Sequence, residues 1–104
     1  MLLNNHLKSL DKNVVRTAAI RLMERNYTTT TLEVKQLLRS QNYWAIQSTI
    51  SRWMDELAEE EDWYFENINH HRNYFKNEVT ANYFTNMTQE EMDFFLGNIK
   101  FSVN

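Results

Sequence analysis

Between positions 47 and 52 the chain sets out an amide, three hydroxyls and a guanidinium, on Gln47, Ser48, Thr49, Ser51 and Arg52. Side chains of these types, gathered at the start of a helix, can pair with base edges in a DNA major groove. Arg pairs bidentately with guanine and Gln with adenine, while hydroxyls reach phosphates or base edges. A second polar cluster follows at 69–73, where His70, His71 and Arg72 could touch phosphate or enter a minor groove. Either set matters only if the rest of the chain aims it away from the core.

The spacing around the first set predicts that it does. Ile46, Ile50, Trp53 and Leu57 fall at intervals of four, three and four, the buried stripe of a helix over about 46–61. At about 100° per residue from Ile50, Ser48 and Arg52 lie on the opposite side, with Thr49 and Ser51 flanking them. The polar stretch before Ile46 leaves the start of this helix at either Trp44 or Gln47. Asp55 and Glu59 follow Arg52 along the same face, and carboxylates repel phosphates. The expectation is therefore modest affinity with strong salt dependence.

Upstream, Asp11 is a candidate N-cap for a helix to about Arg25, with Val15, Ala18, Ala19, Leu22 and Met23 as its buried face. Residues 1–10 read as a loosely attached lead-in in which Leu7 and Leu10 could pack. The threonines at 28–31 break the helical pattern and could form a short strand. Thr30 and Glu33 then form a capping box for a helix carrying Leu32, Val34, Leu37 and Leu38. Downstream of the acidic run, 63–68 and 74–79 are aromatic and β-branched enough for two strands, with 69–73 as the turn between them. A second capping box at Thr88 and Glu91 precedes Met92, Phe94, Phe95 and Leu96, predicting a short helix that stops near Gly97.

Helix, helix, helix and hairpin, together with the run QSTISRWMDEL, resemble the winged helix-turn-helix DNA-binding domains over about residues 11–79. The resemblance implies a mainly α (α+β) fold: a three-helix core, a two-stranded wing and an extra C-terminal helix. It implies a sequence-specific double-stranded DNA-binding protein, a small transcriptional regulator whose third helix reads the major groove. The site it implies is Gln47, Ser48, Thr49, Ser51 and Arg52, with His70, His71 and Arg72 on the wing. Residues 80–104 would be an extension of the single domain 1–104, able to make a homodimer by burying its apolar side chains against a second copy. The alternative from another class is a winged-helix protein-interaction module. It would dock a protein partner through the acidic helix end at 59–62 and the aromatic tail.

Composition sets the outer bounds. At 104 residues the chain forms one small domain. Its net charge is −3, yet residues 1–54 hold eight Lys/Arg against three Asp/Glu, and residues 55–104 hold three against eleven. The first half is thus +5 and the second −8, a dipole that would turn its basic side to nucleic acid. With no cysteine, disulfides and thiolate metal sites are excluded, in keeping with a cytoplasmic setting. Neither a signal peptide nor a membrane span is legible. No enzyme motif is present: there is no cysteine nucleophile, phosphate-cradling glycine loop or zincin pattern, so neither catalysis nor a cofactor is expected. Adjacent histidines in a hairpin point to opposite faces, which argues against a shared metal. Titrating histidines at a DNA-facing tip would favour binding at lower pH. Trp44, Trp53, Trp63, Phe65, Phe75, Tyr83 and Phe84 read as core or interface, not as stacking platforms, because the sequence does not interleave them with cations.

Overall fold

The structure is a computed structural model that describes residues 7–86. Helix α1 (Lys12–Asn26) starts where Asp11 caps it, its Oδ1 accepting the Val14 N–H at 2.9 Å. That bond satisfies one of the amides every helix start leaves unpaired. Val15, Ala18, Ala19 and Met23 recur on one face and are buried. Leu22, expected with them, is only half-buried. The helix stops at Tyr27, whose φ of 72° is left-handed and breaks the helical repeat. That conformation costs a side chain with a Cβ on the order of 1 kcal/mol.

The threonine run does form a strand, β1 (Thr28–Thr29), with Thr29 fully buried. Thr30 and Glu33 then make the predicted capping box, each backbone N–H bonded to the other's side chain at 3.0 and 3.2 Å. Helix α2 (Thr31–Ser40) buries Val34 and Leu38, half-buries Leu37 and leaves Leu32 exposed. Across residues 41–46 the chain turns into α3 (Gln47–Glu60), so the helix begins at Gln47 and not at Trp44. Arg39 Nε holds this connection by donating to the Ala45 carbonyl at 3.0 Å. The described part of the lead-in, from Leu7, is attached as well: the Lys8 backbone N–H donates to Asn42 O at 2.8 Å, and the Trp44 backbone N–H to Lys8 O at 3.0 Å. Leu10 packs on the core. On α3 the buried stripe is Ile50, Met54, Leu57 and Ala58. Trp53 is half-buried beside it, and Ile46, before the first turn, is exposed.

The hairpin is β2 (Tyr64–Ile68) and β3 (His71–Phe75), joined at Asn69 and His70. It forms one antiparallel sheet with β1 in the order β1-β3-β2. Successive strand residues face opposite sides, and β3 is buried on both. Tyr74 belongs to the core made by α1, α2 and α3. Phe75, its neighbour, packs with Tyr64 and Phe84 at ring separations of 6.4 and 5.8 Å.

Phe84 lies on α4 (Glu78–Thr85), a helix the sequence reading did not anticipate. Glu78 and Val79, read as the end of a strand, are its first turn. Asn77 ends the strand path by capping that turn, its Oδ1 accepting the Thr80 N–H at 2.8 Å. The helix expected over 88–97 lies outside the described residues. The described residues thus form a mixed α+β fold of four helices and one three-stranded antiparallel sheet. None of these helices is long and apolar enough to cross a membrane.

Candidate nucleic-acid interface

Helix α3 opens differently from the other helices described. Asp11, Thr30 and Asn77 each cap their helix with a side-chain oxygen, whereas Ile46 has none to offer. The first amides of α3 are therefore left without a capping side chain. Around them, the core stripe at Ile50 and Met54 turns Ser48 and Arg52 outward as an exposed ridge. The Arg52 guanidinium sits 5.9 Å from the centre of the Trp53 ring, a loose contact, and the residue is exposed. Gln47 is oriented from α2: Lys35 Nζ donates to its Oε1 at 3.1 Å, leaving the amide NH2 as a donor.

The hairpin tip is tighter than the sequence suggested. Asn67 pairs with Arg72 and Ile68 with His71, so the turn contracts from 69–73 to two residues. Asn69 and His70 both have positive φ, at 53° and 67°, the geometry of a type I′ turn. His70 thus lies in the turn and His71 in the strand, so the opposite-face expectation for neighbouring strand residues does not apply. Both histidines line one groove of about 290 Å3 with Arg72, with Gln47 and Ser51 of α3, and with Thr31 and Leu32 of α2. Among the described residues no group of three or more His, Asp or Glu is placed to hold a metal ion.

This groove unites Gln47, Ser51, His70, His71 and Arg72. Ser48 and Arg52 stand on the ridge along its edge. Thr49 is separate: it lines a different groove on the far flank of α3. Lys35 and Thr31 join the site without having been picked from sequence. Only the packing of α2 against α3 brings them there, although Lys35 did belong to the basic half of the chain.

Asp55, the carboxylate that sat awkwardly on the Arg52 face, is neutralised from the hairpin. Its Oδ1 accepts from Arg72 Nη1 at 2.6 Å and from the Tyr74 hydroxyl at 2.8 Å. The Arg72 guanidinium also lies 4.5 Å over the Phe65 ring. The hairpin is thereby fixed to the middle of α3. Burial, reinforced by the Asp55 carboxylate, pushes the Tyr74 phenol up to about 12.

The acidic end of α3 is also matched internally. Lys12 bridges to Glu56 at 2.9 Å and to Glu60, while Arg16 reaches Glu60 at 3.3 Å and Glu61 at 3.1 Å. The hydrogen bond from Lys12 holds the Glu60 carboxyl below its ordinary range. Two cations of the basic half are thus bound to the acidic half. The charge separation read from sequence is correspondingly weaker at α1 and survives at Lys35 and Arg52. No protein-family model, curated protein or solved structure matches the chain.

Proposed function

We propose that the chain is a winged helix-turn-helix protein that binds double-stranded DNA sequence-specifically as a small transcriptional regulator. The observation that carries this reading is the shared groove: the open start of α3 and the tip of the hairpin converge on one surface. The element order α1-β1-α2-α3-β2-β3, with β1 closing the sheet beside β3, supports it. In this reading α3 enters the major groove by its first two turns. Arg52 and Gln47 address base edges, Ser48 and Ser51 address phosphates or bases, and the uncapped amides face a phosphate, while Thr49 on the far flank stays out of this contact. His70, His71 and Arg72 form the wing against the neighbouring backbone. Asp55 is tolerated on this face because Arg72 and Tyr74 already occupy it.

A homodimer completes the proposal. Val79 and Tyr83, one helical turn apart on α4, are 78% and 59% exposed and would be covered by a second copy. The rival reading docks a protein through the acidic helix end and the aromatic tail; Glu60 and Glu61 of that end are paired with Lys12 and Arg16, and Phe94 and Phe95 of the tail lie outside the described residues.

The test is fluorescence anisotropy with a randomised duplex pool at low and physiological salt, sequencing what is retained. Expected is salt-sensitive binding that enriches a two-fold symmetric sequence and is lost in Arg52→Ala. No binding at low salt would overturn the reading.

A further inference from the structure

A second groove, of about 320 Å3, runs along the opposite flank of α3, between that helix and the lead-in. Its place follows from helix geometry: at about 100° per residue, Thr49 and Trp53 face half a turn away from Gln47 and Ser51. Leu7, Leu10, Ile46 and Trp53 give it an apolar floor, and no Asp or Glu lines it. Trp44 stands in it with its side chain 59% exposed, the most water-facing of the tryptophans, and Ile46 beside it is 43% exposed.

Two cations accompany this groove, Lys8 in its lining and Arg52 over Trp53, which lines it, and each is set over a ring. Lys8 Nζ is 4.6 Å from the centre of Tyr43, and the Arg52 guanidinium is 5.9 Å from that of Trp53. The backbone N–H of Trp44 donates to Lys8 O, so Trp44 and Lys8 are fixed on adjacent backbone segments. The sequence shows no such pattern, because Lys8 lies far from Tyr43 and Trp44 along the chain. A flat apolar surface flanked by two cations matches what one nucleotide presents: a base with a π face and a phosphate on either side. Ser9 and Thr49 add hydroxyl donors at the rim. A base within a duplex is stacked between its neighbours and cannot present a face, so the occupant has to be unpaired. The volume is near the lower end of the 300–1,000 Å3 or so typical of ligand sites, suited to one base and not to an extended ligand.

We propose that this groove binds single-stranded nucleic acid, with an unpaired base on Trp44 and its flanking phosphates on Lys8 and Arg52. The inference stands apart from the duplex reading, although both make use of the Arg52 ridge. Lys8 and Trp44 belong to the single-strand site alone.

The test titrates the full chain with an oligodeoxythymidine of about twelve nucleotides and with the matching oligouridine, following tryptophan emission, beside a blunt duplex. Either strand should quench emission; comparing the two identifies DNA or RNA as the better ligand. Trp44→Ala should weaken single-strand binding by about 5- to 100-fold, the usual range for losing one stacked base, with blunt-duplex binding unchanged. Trp44→Phe, which keeps a ring, should retain most of the affinity and lose most of the quenching. Lys8→Ala should reduce the salt slope by about 0.7, as expected for one phosphate of a single strand.

Single-strand binding that is the same in wild type and Trp44→Ala overturns the proposal, as does no single-strand binding at low salt. So does a Phe-containing acidic peptide that quenches Trp44 where the oligonucleotides do not, since the groove would then dock protein. Duplex binding without single-strand binding removes this site alone. Single-strand binding without duplex binding removes the duplex reading alone.

Discussion

The two ends of α3 treat charge in opposite ways. At its C-terminal end Glu56, Glu60 and Glu61 are matched by Lys12 and Arg16, so their charges hold α1 to α3. At its N-terminal end the amides lack a capping side chain, Ser48 and Arg52 face outward, and Lys35 orients Gln47 without neutralising anything. Between them Asp55 ties the hairpin to the helix. A helix closed at one end and open at the other is anchored by the first and free to engage a ligand with the second. Overall charge, −3, conceals this because it sums both ends into one figure.

The sharpest way to break the contrast is to remove one charge from each end. Arg52→Ala should cost duplex binding about 1–3 kcal/mol, the usual worth of a bidentate base contact, while the thermal midpoint stays where it was. Equal loss of stability and binding would mean that Arg52 is structural and the open end is not open.

The clamp between the two ends gives the next largest effect. The Tyr74 phenol holds its proton more tightly in the folded chain, at about 12 against an ordinary 10.0. Its contribution is complete below pH 10 and is lost as pH rises towards 12, an amount on the order of 2–3 kcal/mol. Denaturant unfolding at a series of alkaline pH values should show that decline, and Tyr74→Phe should remove it. A wild-type curve flat to pH 12 would mean the hydroxyl is not held as described.

His70→Gly separates the shape of the hairpin tip from its chemistry. Glycine adopts the left-handed turn freely, so stability should rise by about 1 kcal/mol in calorimetry. Duplex affinity should fall even so, because the imidazole is gone. An unchanged affinity would remove His70 from the interface.

The closed end gives the smallest effect. Lys12→Ala breaks exposed pairs and should lower the thermal midpoint slightly at low salt, with no difference in 1 M salt and no change in duplex binding. Because Lys12 holds the Glu60 carboxyl below its ordinary 4.5, the stability from this pair is present above that pH and fades as pH falls through the depressed value. Lys12→Ala should therefore blunt acid destabilisation. A large loss of duplex affinity in this variant would place α1 in the interface and end the contrast.

What the sequence made legible was local. The caps at Asp11 and Thr30, the α1 face apart from Leu22, and the outward set of Ser48 and Arg52 depend on neighbours a few residues apart, and these stand in the structure. Where a second segment decides, the reading failed. Glu78 and Val79 look like strand in isolation, but β3 buries Tyr74 and Phe75 on opposite faces, and a sheet covered on both faces needs α4. The cue for α4, Asn77 ahead of Glu78, was present but outweighed by β-branched Val79. The Asp55 clamp, Lys35 on Gln47 and Lys8 beside Trp44 join residues distant in sequence, so no spacing rule could reveal them. The outward face of α3 was therefore readable, and the groove beside it was not.

The pairing of Lys8 with the segment before α3 also bears on how the protein is handled. A chain entering at Leu7 runs directly past Trp44 and the start of α3. A bulky label attached at Leu7 would stand in the second groove, where it could mask single-strand binding or mimic it. A label at Arg25, exposed in the last turn of α1, lines neither groove and lies off α4.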